Sequence, residues 1–211
     1  VRGEGSPLLD RRFPALVVLG IFNNVIPFSL LFWAQLTIPS GLASIFNATT
    51  PIFTVVLATL LTADDKATPL KIGGIALGFA GVVVMLGTGS SGGGLLPQLA
   101  CLGAAFSYGV SNMVARRLTF APPMTLATGQ LTGSTLIMIP LALVFEAPWT
   151  LPVPSATAIG AVLAIAILTT AVAYLLFFAV LKSAGATNAS LVTYRVPVSA
   201  ILLGTALLGE R

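Results

Sequence analysis

Seven long stretches of the chain carry almost uninterrupted apolar side chains, and each is closed by glycine, proline, serine or charged residues. They cover 13–36, 38–62, 69–87, 96–118, 123–145, 155–181 and 187–208. Strands of a membrane barrel would alternate apolar and polar residues over segments of about ten. These stretches do not alternate, and their length suits a bilayer-crossing helix, which needs about 20 residues. The pattern predicts an all-α fold, a polytopic transmembrane helical bundle. The connections are short, so consecutive helices are expected to lie antiparallel and in contact.

Composition removes the soluble alternatives. Hydrophobic residues make up 56% of the 211 positions and charged residues 8%, against about 25% charged in an ordinary soluble domain. Histidine is absent and Cys101 is the single cysteine. Disulfide frameworks, histidine-based metal sites and Ser/His or Cys/His catalysis are therefore excluded. The formal charge of +4 does not gather on one basic face, so nucleic acid is not an expected partner. No cofactor, metal or catalytic residue is expected. A fingerprint-like Gly87-Thr-Gly89-Ser-Ser-Gly92 lacks the strand that a dinucleotide site requires and reads as a flexible turn.

The charges instead report orientation. Arg2, Arg11, Arg12, Lys66, Lys71, Arg116, Arg117 and Lys182 fall at one set of helix ends, whereas the opposite ends carry only Arg211. The positive-inside rule makes the first set cytoplasmic. One missed helix would break this alternation.

A shift of 146 positions lays residues 14–65 on 160–211 without a gap. The pairs Asn23/Thr169, Asn24/Thr170, Ser44/Ser190, Asn47/Thr193 and Pro51/Pro197 weigh more than the apolar matches, because apolar helices align by composition alone. The repeat unit holds five helices, and an odd number inverts the second copy in the membrane, a common transporter architecture.

The residues at these positions carry a resemblance. Gly41-Leu-Ala-Ser-Ile-Phe-Asn-Ala-Thr-Thr-Pro51 with its second-copy counterpart from Ala189 to Gly204, the stretch from Lys71 to Val84, and the closing Leu208-Gly-Glu-Arg211 resemble the EamA-type members of the drug/metabolite transporter superfamily. That resemblance implies two five-helix repeats, here 1–88 (helices three to five) and 95–211 (helices six to nine). Helices one, two and ten of ten would then lie outside the chain. It further implies secondary-active transport of small organic metabolites, such as amino acids, outward across a bacterial plasma (inner) membrane by alternating access. Two departures stand out: Ala63-Asp64-Asp65 replaces the family's usual Gly-Glu-Arg/Lys, and Arg195 occupies a position usually apolar or small. The expected partners are a small-molecule substrate and the lipid bilayer, with a homodimer left open. The competing reading is a non-transporting membrane scaffold or assembly protein. An enzyme is not expected, because all six acids lie outside span centres.

Polar residues cluster at mid-depth. Asn23, Asn47, Tyr108, Asn112, Thr170, Tyr174, Tyr194 and Arg195 are the expected lining of a substrate cavity. Interhelical hydrogen bonding is the plainer account of any one of them, but together they exceed what packing requires. Arg195 lies about eight residues into the last stretch, with no acid at mid-depth to pair with; a charge there costs about 2.5–3.5 kcal/mol on insertion scales. Pro51 and Pro197 sit near the centres of their stretches and are expected to loosen the helices as paired hinges. The small-residue pairs Gly74/Gly78 and Gly129/Gly133, with Gly103, Ser107 and Ser111, are expected at close helix contacts.

Overall fold

A computed structural model describes residues 13–62, 68–87, 94–118, 121–192, 196–203 and 206. The 87–92 fingerprint thus lies almost wholly outside the described residues, as do Tyr194 and Arg195. The described residues form helices joined by short turns, and no strand occurs among them. We number the helices α1 (Phe13–Ala34), α2 (Ser40–Leu61), α3 (Pro69–Gly87), α4 (Leu95–Arg117), α5 (Pro123–Phe145), α6 (Ala156–Ala189) and α7 (Val196–Leu203).

Among the described residues, α1, α2, α5 and α6 are long and apolar enough to cross a membrane. α6 turns sharply at Gly185, whose φ of 82° and ψ of 169° are not helical. Glycine alone reaches that region without strain. The sixth and seventh predicted spans divide there, within the predicted 182–186 connection.

α4 falls short on composition, not on length. It carries Gln98, Ser107, Ser111, Asn112, Arg116 and Arg117, and the first four of these are buried. It packs against α1, α2 and α6, at the middle of the bundle. α6, at the periphery, exposes Ile165, Ile167, Leu168, Val172 and Leu176. Apolar side chains thus face outward and polar ones inward, the arrangement a lipid solvent favours, since nothing in hydrocarbon can satisfy an outward polar group.

Two apolar clusters close the ends of the bundle. Leu16, Leu118, Leu126, Phe178 and Leu181 form one, around the start of α1 and the end of α4. Ala34, Ile38, Ala43, Phe46 and Cys101 form the other, around the end of α1 and the start of α4. Polar residues occupy the depth between them.

Glycines set the spacing of the inner helices. A Cβ on Gly20 would stand 2.5 Å from the Gln130 carbonyl oxygen, and one on Gly133 would stand 2.9 Å from Val17 Cα. α1 and α5 therefore approach backbone to backbone, as the Gly129/Gly133 pair predicts. The Gly74/Gly78 pair behaves differently: Gly78 faces Ile52, while Gly74 meets nothing. α3 packs on α2, and Gly74 lies off that contact.

Candidate functional site

Two helices abandon regular α geometry at the depth where the polar residues lie. α1 is π-helical over Ile21–Val25, and α6 is π-helical over Ile165–Val172. The shift of 146 carries the first segment onto 167–171, inside the second. A π-turn widens the helix and releases carbonyls from the regular ladder, and such turns frequent functional sites. Here the Phe22 carbonyl accepts a 2.8 Å bond from Ser107 Oγ of α4.

The π-turn in α1 places two adjacent asparagines in the interior, where Asn23 and Asn24 are 5% and 4% exposed. Asn23 Nδ2 donates to Gln130 Oε1 at 2.8 Å, and Asn24 Nδ2 donates to Ser134 Oγ at 3.1 Å. Residues 130 and 134 stand one helical turn apart on α5, which puts them on one face. The close α1–α5 approach brings that face within reach. From α6, the Tyr174 hydroxyl donates to Asn24 Oδ1 and more weakly to the Asn23 carbonyl, at 3.4 Å.

A second irregularity interrupts α2. Helix runs over Ser40–Asn47, stops at Ala48 and Thr49, and restarts over Thr50–Leu61. Pro51 therefore occupies the first turn of a new helix. The sequence-based expectation of a proline bending one continuous helix is corrected to this extent, and the reason is local. Proline suits a first turn, where an N–H has no helical partner anyway. Thr49 Oγ1 and Thr50 Oγ1 also satisfy the carbonyls of Phe46 and Asn47, at 2.6 and 2.7 Å. α7 is described over Val196–Leu203 and includes Pro197, the position the same shift assigns to Pro51. α7 packs against the Ser40–Asn47 half of α2.

α2 and α4 join through Asn112, whose Nδ2 donates to Thr54 Oγ1 at 3.1 Å, while Thr54 Oγ1 donates to the Thr50 carbonyl at 2.9 Å. Gly109 permits this approach, since a Cβ there would stand 3.0 Å from Phe53 Cβ.

Between these contacts lies a partly open cavity of about 250 Å³, lined by Asn23, Phe28, Asn47, Thr50, Tyr108, Asn112, Thr170, Tyr174, Phe177 and Val192. Six of the eight residues named from the sequence, Asn23, Asn47, Tyr108, Asn112, Thr170 and Tyr174, share it. The other two, Tyr194 and Arg195, follow lining residue Val192 by two and three positions and lie outside the described residues. Among the described lining residues none is ionic. An apolar groove of about 380 Å³ adjoins, with Tyr174, Phe177 and Val192 common to both. Asn47 Oδ1 is buried without a hydrogen-bond partner, as is Gln130 Nε2. Each such unpaired buried polar atom costs about 1–3 kcal/mol.

Sequence reasoning left Thr50, Phe28, Phe177 and Val192 off the lining. Thr50 belongs to the mid-depth polar set and was legible. The apolar three were not, because nothing distinguishes an inward phenylalanine from an outward one in a helix that is apolar all round. Gln130, fully buried, stands behind Asn23 and fixes its amide. No group of histidine, cysteine, aspartate or glutamate able to hold a metal occurs among the described residues.

The EamA-like transporter family matches residues 1–87 and 95–211. The uncharacterized inner membrane transporter YedA of Escherichia coli K12 is 24% identical over 204 residues, covering 97% of this chain and 64% of that protein. Its counterpart in Escherichia coli O157:H7 matches equally. The chain thus spans 64% of the length of these curated relatives. A solved crystal structure shares the fold with a TM-score of 0.68 at 22% identity, covering 98% of this chain and 71% of the other.

Proposed function

The chain belongs to the EamA-like transporter family, and from that premise we propose that it is a secondary carrier of small organic metabolites in a bacterial inner membrane. The proposed substrates are amino acids or related compounds, moved outward by alternating access. The observation that carries this reading is the cavity at mid-depth, polar, uncharged among its described residues, and closed toward each end by an apolar cluster. A scaffold has no use for a polar cavity at that depth. The two matched segments, taken as repeats 1–88 and 95–211, would rock about the cavity. Arg195, three residues beyond lining residue Val192, is proposed to meet a carboxylate on the substrate through charge-assisted bonds.

Transport into proteoliposomes, with amino acids and simple carboxylates supplied in turn, tests this. Arg195→Leu should reach the membrane at wild-type levels yet lose flux of carboxylate-bearing compounds. Arg195→Lys should impair flux as well, because lysine lacks the planar two-pronged donor. No flux of any compound by the well-folded wild-type protein would favour the scaffold instead.

A further inference from the structure

The hydrogen bonds around the cavity run in one direction. Ser134 Oγ donates to the Leu131 carbonyl at 3.0 Å, so it can only accept from Asn24 Nδ2. That turns Asn24 Oδ1 toward Tyr174, and the tyrosine proton points away from the cavity. Thr54 Oγ1 likewise donates to the Thr50 carbonyl and must accept from Asn112 Nδ2, which leaves Asn112 Oδ1 without a partner among the described residues. Thr50 Oγ1 gives its proton to the Asn47 carbonyl. The helix restart at Thr50 adds little to the donors, because Pro51 has no N–H and the N–H groups of Ile52 and Phe53 both go to the Thr49 carbonyl. Three lining groups, Tyr174, Asn112 and Thr50, have thus spent protons outward and kept lone pairs inward. Against this, Tyr108 and Thr170 supply hydroxyl protons, and the asparagine amides keep a remaining N–H each.

Resting on the carrier reading above, we infer that this cavity receives a primary ammonium group of the substrate, held by Asn112 Oδ1, Thr50 Oγ1 and Tyr174 Oη. An ammonium offers three donors and no acceptor, the complement of these three oxygens. Phe28, Tyr108 and Phe177 add aromatic rings, whose faces attract cations. Neutral oxygens in place of a carboxylate suit a carrier, which must release what it binds. Thr54 is a positioning residue here: it never faces the ligand but holds the Asn112 amide with its oxygen inward.

The test uses the full chain in lipid nanodiscs and two isosteric probes, n-butylamine and 1-butanol, titrated calorimetrically against empty nanodiscs. The amine should bind at least roughly tenfold more tightly than the alcohol, since bonds to an ionised donor are the stronger kind. Asn112→Asp should tighten amine binding by about tenfold or more by adding an opposite charge, and should slow flux. Asn112→Leu should weaken it by a similar factor, and Thr54→Val should weaken it severalfold while leaving the alcohol unchanged. Equal binding of amine and alcohol by folded protein overturns the inference, as does amine binding indifferent to Asn112→Asp. Amine preference without flux of any compound would sink the carrier reading alone. Flux of metabolites without amine preference would sink this inference alone.

Discussion

Individual glycines and polar side chains act here as a matched set. Gly20 and Gly133 allow the backbones of α1 and α5 to approach, and that approach is what lets Asn23 and Asn24 reach Gln130 and Ser134. Gly20→Ala should therefore cost more than the usual helix-favouring methyl would return. The added carbon would press on a backbone carbonyl, which cannot rotate aside, so the expected loss is about 1–3 kcal/mol. Thermal unfolding in detergent should show a lowered midpoint and weaker binding together. An unchanged midpoint would mean that the helices can part at no cost. At this scale the sequence was partly readable. Asparagines and tyrosines stand out in an apolar chain because burying them requires partners, so six lining positions could be named in advance. Phe28 and Phe177 could not, since orientation within an apolar helix leaves no trace in composition.

At the scale of elements, the interest lies in helices that are not regular. The break at Ala48–Thr49 is held open from both sides: hydroxyls of Thr49 and Thr50 occupy the carbonyls before it, and Pro51 offers no N–H to close the ladder. Pro51→Ala restores a donor that competes with Thr50 Oγ1 for the Asn47 carbonyl. The helix should then run on, Asn47 should swing, and transport should fall severalfold with protein in the membrane unchanged. Full transport by that variant would assign the break to the threonines alone. Helix positions and the turn near 185 were legible from apolar run lengths. The π-turns were not, because an extra residue in a helical turn alters neither hydropathy nor length enough to register. Only the asparagine pair in α1 and its threonine counterparts in α6 marked the depth at which they occur.

For the molecule as a whole, orientation follows from charge at the helix ends. Arg116 Nη1 reaches Thr62 Oγ1 at 3.4 Å, which ties the ends of α2 and α4 to the same side. That is the side expected from the Lys/Arg partition to be cytoplasmic. Single cysteines in a Cys101→Ser background should therefore react with an impermeant reagent from inside at position 66 and from outside at positions 90 and 149. Labelling of position 90 from inside only would invert or dismantle the arrangement. One feature of this bundle reaches beyond its own length of chain. An α-helix advances about 100° per residue, so a π-turn is a phase slip: it admits a residue beyond what the α turns need and rotates all that follows. In α1 the apolar residues above and below Ile21–Val25 therefore keep different azimuths, and the same holds on either side of Ile165–Val172 in α6. Deleting a single residue from either segment would leave a longer, more regular helix with every later side chain turned to a new compass bearing. In these two helices the inward-facing identity of the polar residues is thus a property of counting, written in the number of residues as much as in their kind.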